Sequence, residues 1–267
     1  MSPAVLAQSR PPDPFDAPGL EIFEPPCLVE WNTVGIQFCV NRQVLYLFIT
    51  ALIVVTLFVL AALRPGLIPR GIRNFVESIV EFVRNQITLE VIGPDGLPWV
   101  PFLTSLFAFI LVGNLFAIIP GINYPVTSRM AIPALLAAIV WVIFNAVGVR
   151  SQGAGGYLKS VLFPPGVPKP IYILLTPIEF VSTFLVRPLT LSVRLLANMM
   201  AGHLILTIFF LGTAYLLAKP TTIPFAIPAF ALAVGLTAFE ILVAILQAYI
   251  FTILTAVYIA GAMHPEH

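Results

Sequence analysis

The apolar positions of this chain fall in long uninterrupted runs. Gln43 to Leu63 is 21 residues without a charge, where roughly 20 suffice to cross a hydrocarbon core. Trp99 to Ile119 is a second run, closed by Pro120-Gly121, and Met130 to Val149 a third, bounded by Arg129 and Arg150. Ile171 to Leu217 then gives 47 residues with few interruptions, and Pro224 to Met263 another 40. As one helix the first of these would be about 70 Å long, over twice the core thickness. Hydropathy alone leaves open whether each is a hairpin of two spans or one steeply inclined helix.

Residues 70–90 follow a different pattern. Ile72, Phe75, Val76, Ile79, Val80, Phe82, Val83 and Ile87 recur mostly at helical spacing, with Arg73, Glu77, Glu81 and Arg84 on the other side. This predicts an amphipathic helix lying on the membrane, or docked on a partner. The stretch GPDGLP at 93–98 has turn chemistry. Residues 1–42 hold seven prolines before position 27, which cannot propagate a helix. They read as an extended acidic tail in front of a single membrane domain, 43–267.

Composition agrees with the pattern. The chain is 59% hydrophobic and 9% charged, against about 25% charged in a soluble domain, so it cannot cover a water-facing surface. The net charge of +1 supplies no basic patch for nucleic acid. Arg64, Arg70 and Arg73 follow the first run, and Arg150, Lys159 and Lys169 follow the third. Basic flanks are held in the cytoplasm, so the acidic tail is expected outside and the C-terminus inside. Trp99 suits an interfacial anchor. Cys27 and Cys39 are too few for a disulfide framework and wrongly spaced for a metal; one bridge or two free thiols both remain open.

The candidate chemistry lies in the charges inside the apolar runs. Between Leu97 and Met263 the acidic residues are Glu179 and Glu240, and Arg187, Arg194 and His203 share their runs. A charge at mid-span costs about 2.5–3.5 kcal/mol on insertion scales, so such groups demand partners, water or function. A mixed set of acid, base and imidazole is what a proton path needs. Arg187, Arg194 and Asn198 share one helix face, as do Glu240 and Gln247. His203 lies half a turn away in azimuth from Arg194, and it can meet Glu240 if the two runs pack side by side. Ala197, Ala201 and Gly202 would permit close approach.

The segment RPLTLSVRLLANMMAGH, from Arg187, resembles the signature of subunit a of F-type ATP synthases. The ending ILQAYIFTILTAVYIAGAMHPEH resembles that subunit's last helix, and FILVGNLFAIIPGI its second span. The likeness covers most of residues 40–264. It implies an all-α integral membrane protein of about five membrane-crossing helices plus one amphipathic surface helix, the last two crossing helices long and inclined around a ring of c subunits.

Carried over by motif, Arg194 matches the arginine that faces the carboxylate of the rotating ring. Asn198 matches an asparagine one turn on, and His203 with Glu240 a coupled titratable pair, here in the order His then Glu. Gln247 matches a polar residue near the arginine. Asn114 matches an asparagine of the second span, although Ala117 stands where an acid is often found. Glu179 is similar to a half-channel glutamate, eight residues before Arg187 where the pattern has seven. The resemblance also implies a proton-channel (stator) subunit of the Fo sector in a bacterial plasma membrane, with the c-ring, b subunits and the rest of F1Fo as partners. No cofactor or metal is implied. No G-x-x-x-x-G-K sequence offers a nucleotide site, so a catalytic role in this chain is not expected.

Two rivals differ in class. A proton-coupled secondary transporter would show internal repeats and helices broken near the midplane, and no repeat is evident. An intramembrane protease would need a nucleophile and base that no H-E-x-x-H or G-x-S-x-G supplies.

Overall fold

A computed structural model describes residues 19, 27–33, 36–63, 71–119, 125–163, 169–218 and 220–263. Side chains of 27–40 are not among them, so the question of a Cys27–Cys39 bond falls outside the described residues, as do His264 and His267.

The described end of the acidic tail is an antiparallel hairpin, β1 (Cys27–Thr33) and β2 (Ile36–Asn41), paired Val29 to Val40 and Thr33 to Ile36. These extended residues pair, which the reading of an extended tail did not include: CLVEWNT and IQFCVN are rich in β-branched and aromatic residues, which suits them to a ladder. Asn41 ends the hairpin and caps the next element, its Oδ1 accepting from the Val44 amide at 3.1 Å.

That element is α1 (Arg42–Ala62), about 31 Å long and so matched to the core. Phe48, Leu52 and Val55 on its outer side are exposed, as lipid-facing residues are. The amphipathic stretch is α2 (Ile72–Phe82), continued by a π-helical stretch at Val83–Leu89 in which Thr88 Oγ1 donates to Val83 O. Val76, Val83 and Ile87 face the protein, and Arg73 pairs with Glu77 at 3.7 Å on the other side. Ile72 and Phe75 remain exposed, so the apolar stripe is wider than its protein contact.

A 3₁₀ turn at Pro94–Trp99 leads into α3 (Val100–Leu115), which stops four residues short of the expected Ile119 in a run of turns. The third span is α4 (Ala131–Leu162), and here the expected end at Val149 is corrected. Helical structure passes Arg150 and turns at Gly153, whose φ of 74° and ψ of 158° belong to glycine. The chain then folds back, so that the Tyr157 ring rests on Gly148 with no room for a Cβ, and its hydroxyl donates to Asn145 Oδ1 at 3.0 Å. Ser151 Oγ and Gln152 Nε2 both donate to Ala262 O, tying this corner to the end of the chain.

The long runs are each one helix. α5 (Tyr172–Val181) passes through a π turn at Ser182–Val186 into α6 (Arg187–Leu217), and α7 spans Ile223–Met263. The π turn sits just before Pro188, which has no amide to donate; widening the helix there absorbs the missing hydrogen bond without a break. At about 69 Å and 61 Å respectively, the two helices can stay in the membrane only by inclining steeply. Among the described residues, five helical stretches are long and apolar enough to cross a membrane, and the protein is an all-α membrane protein apart from its small hairpin.

Packing orders these helices. The core is built from Leu103, Phe107 and Ile110 of α3, Phe144 of α4, Leu191 and Leu195 of α6, and Phe251 and Ile259 of α7. The Phe144 ring packs tilted against Tyr258 and Ser151 Oγ donates to Ala262 O, so α4 and α7 run parallel. Much of α5 to α7 stays uncovered: Ile173 is 83% exposed, Ile227 70% and Phe239 62%. A surface that apolar faces lipid or another subunit.

Candidate functional site

The polar side chains of α6 and α7 meet along the seam between these two helices. Asn198 Nδ2 donates to Gln247 Oε1 at 2.7 Å, and one turn later a Cβ on Gly202 would lie 3.1 Å from Glu240 Oε1. Rising numbers on α6 thus meet falling numbers on α7, so the pair is antiparallel. Gly202 matters because it has no side chain: the Glu240 carboxyl lies directly against the α6 backbone.

Glu240 is 3% exposed, and neither of its oxygens has a hydrogen-bond partner among the described residues. It borders a cleft of about 250 Å³ lined also by Asn198, Ala201, Gly202 and Phe239. A cleft that size has room for water, and in its mostly apolar lining Asn198 and Glu240 are the side chains that water can bond. Gln247 is buried at 2% exposure, its oxygen held by Asn198 and its Nε2 without a partner among the described residues. His203, next after Gly202, is buried at 1% exposure. The expected side-by-side packing is therefore present, with Glu240 against the residue that precedes the imidazole.

Arg194 sits one turn before Asn198 and is exposed, whereas His203 points inward. The prediction that an ideal helix shows these two residues to different neighbours holds. Arg187 lies two turns earlier, its guanidinium carbon 5.4 Å from the centre of the Tyr258 ring, a cation–π contact that holds a charge among aromatic residues.

Two expected site residues lie elsewhere. Glu179 is half-buried on α5, about 28 Å of helix from Asn198. Asn114 is fully buried near the end of α3, where its Oδ1 accepts from Thr127 Oγ1 at 2.8 Å and its Nδ2 has no partner among the described residues. Beside it Gln43 Nε2 donates to Val126 O at 2.9 Å. Thr127 and Gln43 were not singled out from the sequence. A threonine in a short connecting segment and a glutamine at the first position of a span carry no periodic signal, and only the fold brings them to Asn114. Among the described residues no three His, Cys, Asp or Glu side chains group as a metal site.

The model of the ATP synthase A chain family matches residues 44–260. The chain is 47% identical over 258 residues to the ATP synthase subunit a of Frankia alni, covering 95% of this chain and 88% of that one. It is 46% identical over 252 residues to that of a Parafrankia species, covering 94% and 85%. A 40% match over 257 residues to the subunit from Rhodococcus erythropolis covers 95% and 92%. With five spans, a polar seam and matches of this extent, the chain belongs to the ATP synthase A chain family, the proton-channel subunit of the membrane sector, and is a multi-pass protein of a bacterial membrane.

Proposed function

We propose that the seam of α6 and α7 forms parts of two offset half-channels, with Arg194 between them facing a ring of c subunits. The observation that carries this reading is the Glu240 carboxyl: buried, without a hydrogen-bond partner among the described residues, and bordering, with Asn198, an otherwise apolar cleft one turn from the residue that follows Arg194 on the same face. A carboxyl with no fixed partner can take a proton from water and release it. Glu240 and His203 pass protons along the seam, helped by the amides of Asn198 and Gln247. Glu179 serves the other half-channel.

Arg194 plays a different part. A guanidinium keeps its charge in a protein, so it attracts an ionised ring carboxylate and opposes the passage of a neutral one. It also blocks a direct leak, since it cannot relay protons. Each charge crossing 100 mV releases about 2.3 kcal/mol, which the ring turns into rotation. The exposed apolar faces of α5 to α7 are the surface on which the ring turns, and the b subunits of the peripheral stalk bind elsewhere on the same membrane domain, 43–267. This chain itself catalyses no chemical step. Its tail, 1–42, lies outside and its C-terminus in the cytoplasm.

Asn114 also fits this path. Phe82 packs on both Phe107 and Tyr249, which therefore share a level. α3 and α7, as the second and fifth spans, cross in opposite senses. Asn114 lies about 10 Å beyond that level along α3, and Glu240 about 13 Å before it along α7, so both fall on the same side.

The test is passive proton flux through membrane vesicles stripped of F1, carrying Glu240→Gln in an assembled complex. Flux should fall severalfold. Native flux with both Glu240→Gln and His203→Ala in place would overturn the relay.

A further inference from the structure

The buried polar group around Asn114 holds two residues that the proposed mechanism does not use. Thr127 is 1% exposed and Gln43 3% exposed, so neither is a surface residue. Gln43 on α1 fixes the backbone at Val126, and the Val126 amide in turn donates to Gly113 O at 3.4 Å. A Cβ at Gly113 would come into ordinary contact with Val126 and Thr50, so the segment lies close against α3. Thr127 is thereby held so that its hydroxyl reaches Asn114 Oδ1.

A primary amide has one acceptor oxygen and two N–H donors. With the oxygen accepting from Thr127 Oγ1, the Nδ2 group is left as a buried donor. Buried donors are almost always satisfied, by protein or by water. Among the described residues Asn114 Nδ2 has no protein partner, so it is a buried donor to which a water molecule can bond.

We propose that Thr127 is a positioning residue: it locks the Asn114 amide so that Nδ2 presents a fixed donor to a water of the proton path. This rests on the half-channel reading of Asn114. Without the Thr127 hydroxyl the amide can rotate, and the water loses a partner of fixed direction. Gln43 acts one step further back, by holding the segment that carries Thr127.

The experiment compares passive proton flux and ATP synthesis in vesicles holding the whole complex with Thr127→Val, Thr127→Ser, Asn114→Ala and the Thr127→Val/Asn114→Ala double variant, at equal recovery of assembled complex. Thr127→Val should slow flux roughly three- to tenfold, the factor that one hydrogen bond of ordinary strength carries. Thr127→Ser, which keeps the hydroxyl, should restore it. The double variant should be no slower than Asn114→Ala alone. A merely structural threonine would lower assembly instead, and its loss would multiply with that of Asn114→Ala.

Native flux in Thr127→Val beside a slow Asn114→Ala overturns the positioning role and leaves the half-channel standing. Multiplying losses in the double variant overturn it as well. Native flux in Asn114→Ala overturns the half-channel reading of that residue, and the role of Thr127 with it. Should Thr127→Val not assemble, Thr127→Ala is smaller and is read in the same way.

Discussion

Asn198 donates to Gln247 at 2.7 Å across the seam of α6 and α7, and the two ends of this bond differ in environment. Gln247 is buried, while Asn198 sits on the exposed side of α6. Removing the exposed partner therefore strands the buried one. Asn198→Ala is expected to cost about 1–3 kcal/mol, the penalty for leaving a buried polar group unsatisfied. Gln247→Leu should cost less, because Asn198 can then turn to water. Heat-induced loss of subunit a from the detergent-purified complex measures both; equal midpoints for the two variants would contradict the asymmetry.

Gly202 sets how close Glu240 comes to α6. A methyl group there would sit 3.1 Å from Glu240 Oε1, so Gly202→Ala should push the carboxyl aside by a few tenths of an ångström. A larger side chain, as in Gly202→Leu, would drive it out of its place and fill the cleft beside it. Passive proton flux should fall modestly in the first variant and severely in the second, at unchanged assembly. Flux in Gly202→Leu equal to the native rate would show that protons do not use this cleft.

The fold-back after α4 hinges on Gly153. Its backbone angles are open to glycine and strained for other residues, so Gly153→Ala should cost about 1–3 kcal/mol locally. The cost falls on the corner that ties Ser151 and Gln152 to Ala262. Limited proteolysis of inverted vesicles should then nick the 150–163 segment faster in the variant. An unchanged nicking rate would mean that the turn at Gly153 contributes little to holding the corner.

The membrane spans were legible because length and apolarity are one-dimensional properties: Gln43 to Leu63 reads as a span whatever it packs against. Glu240 was legible as a charge in an apolar run, and the structure buries it against Gly202; Arg194 and His203 stand out in the sequence in the same way. Hydropathy could not choose between one inclined helix and two spans for 171–217. The choice depends on whether Pro188 breaks the helix, and the π turn before it removes that need. The hairpin at 27–41 escaped notice because six or seven residues of alternating character are easily lost in a proline-rich tail. The turn at Gly153 lies in SQGAGG, where any of three glycines fits. The partnership of Asn114 with Thr127 joins residues thirteen apart across a span end, which no spacing rule connects.

In the proposed mechanism the fixed charge of Arg194 couples proton flow to the ring. ATP-driven proton pumping into vesicles carrying Arg194→Ala tests it, with assembly verified by recovery of the c-ring alongside subunit a. The assembled complex should not pump, with or without a passive leak. Native pumping by that assembled variant would contradict the mechanism.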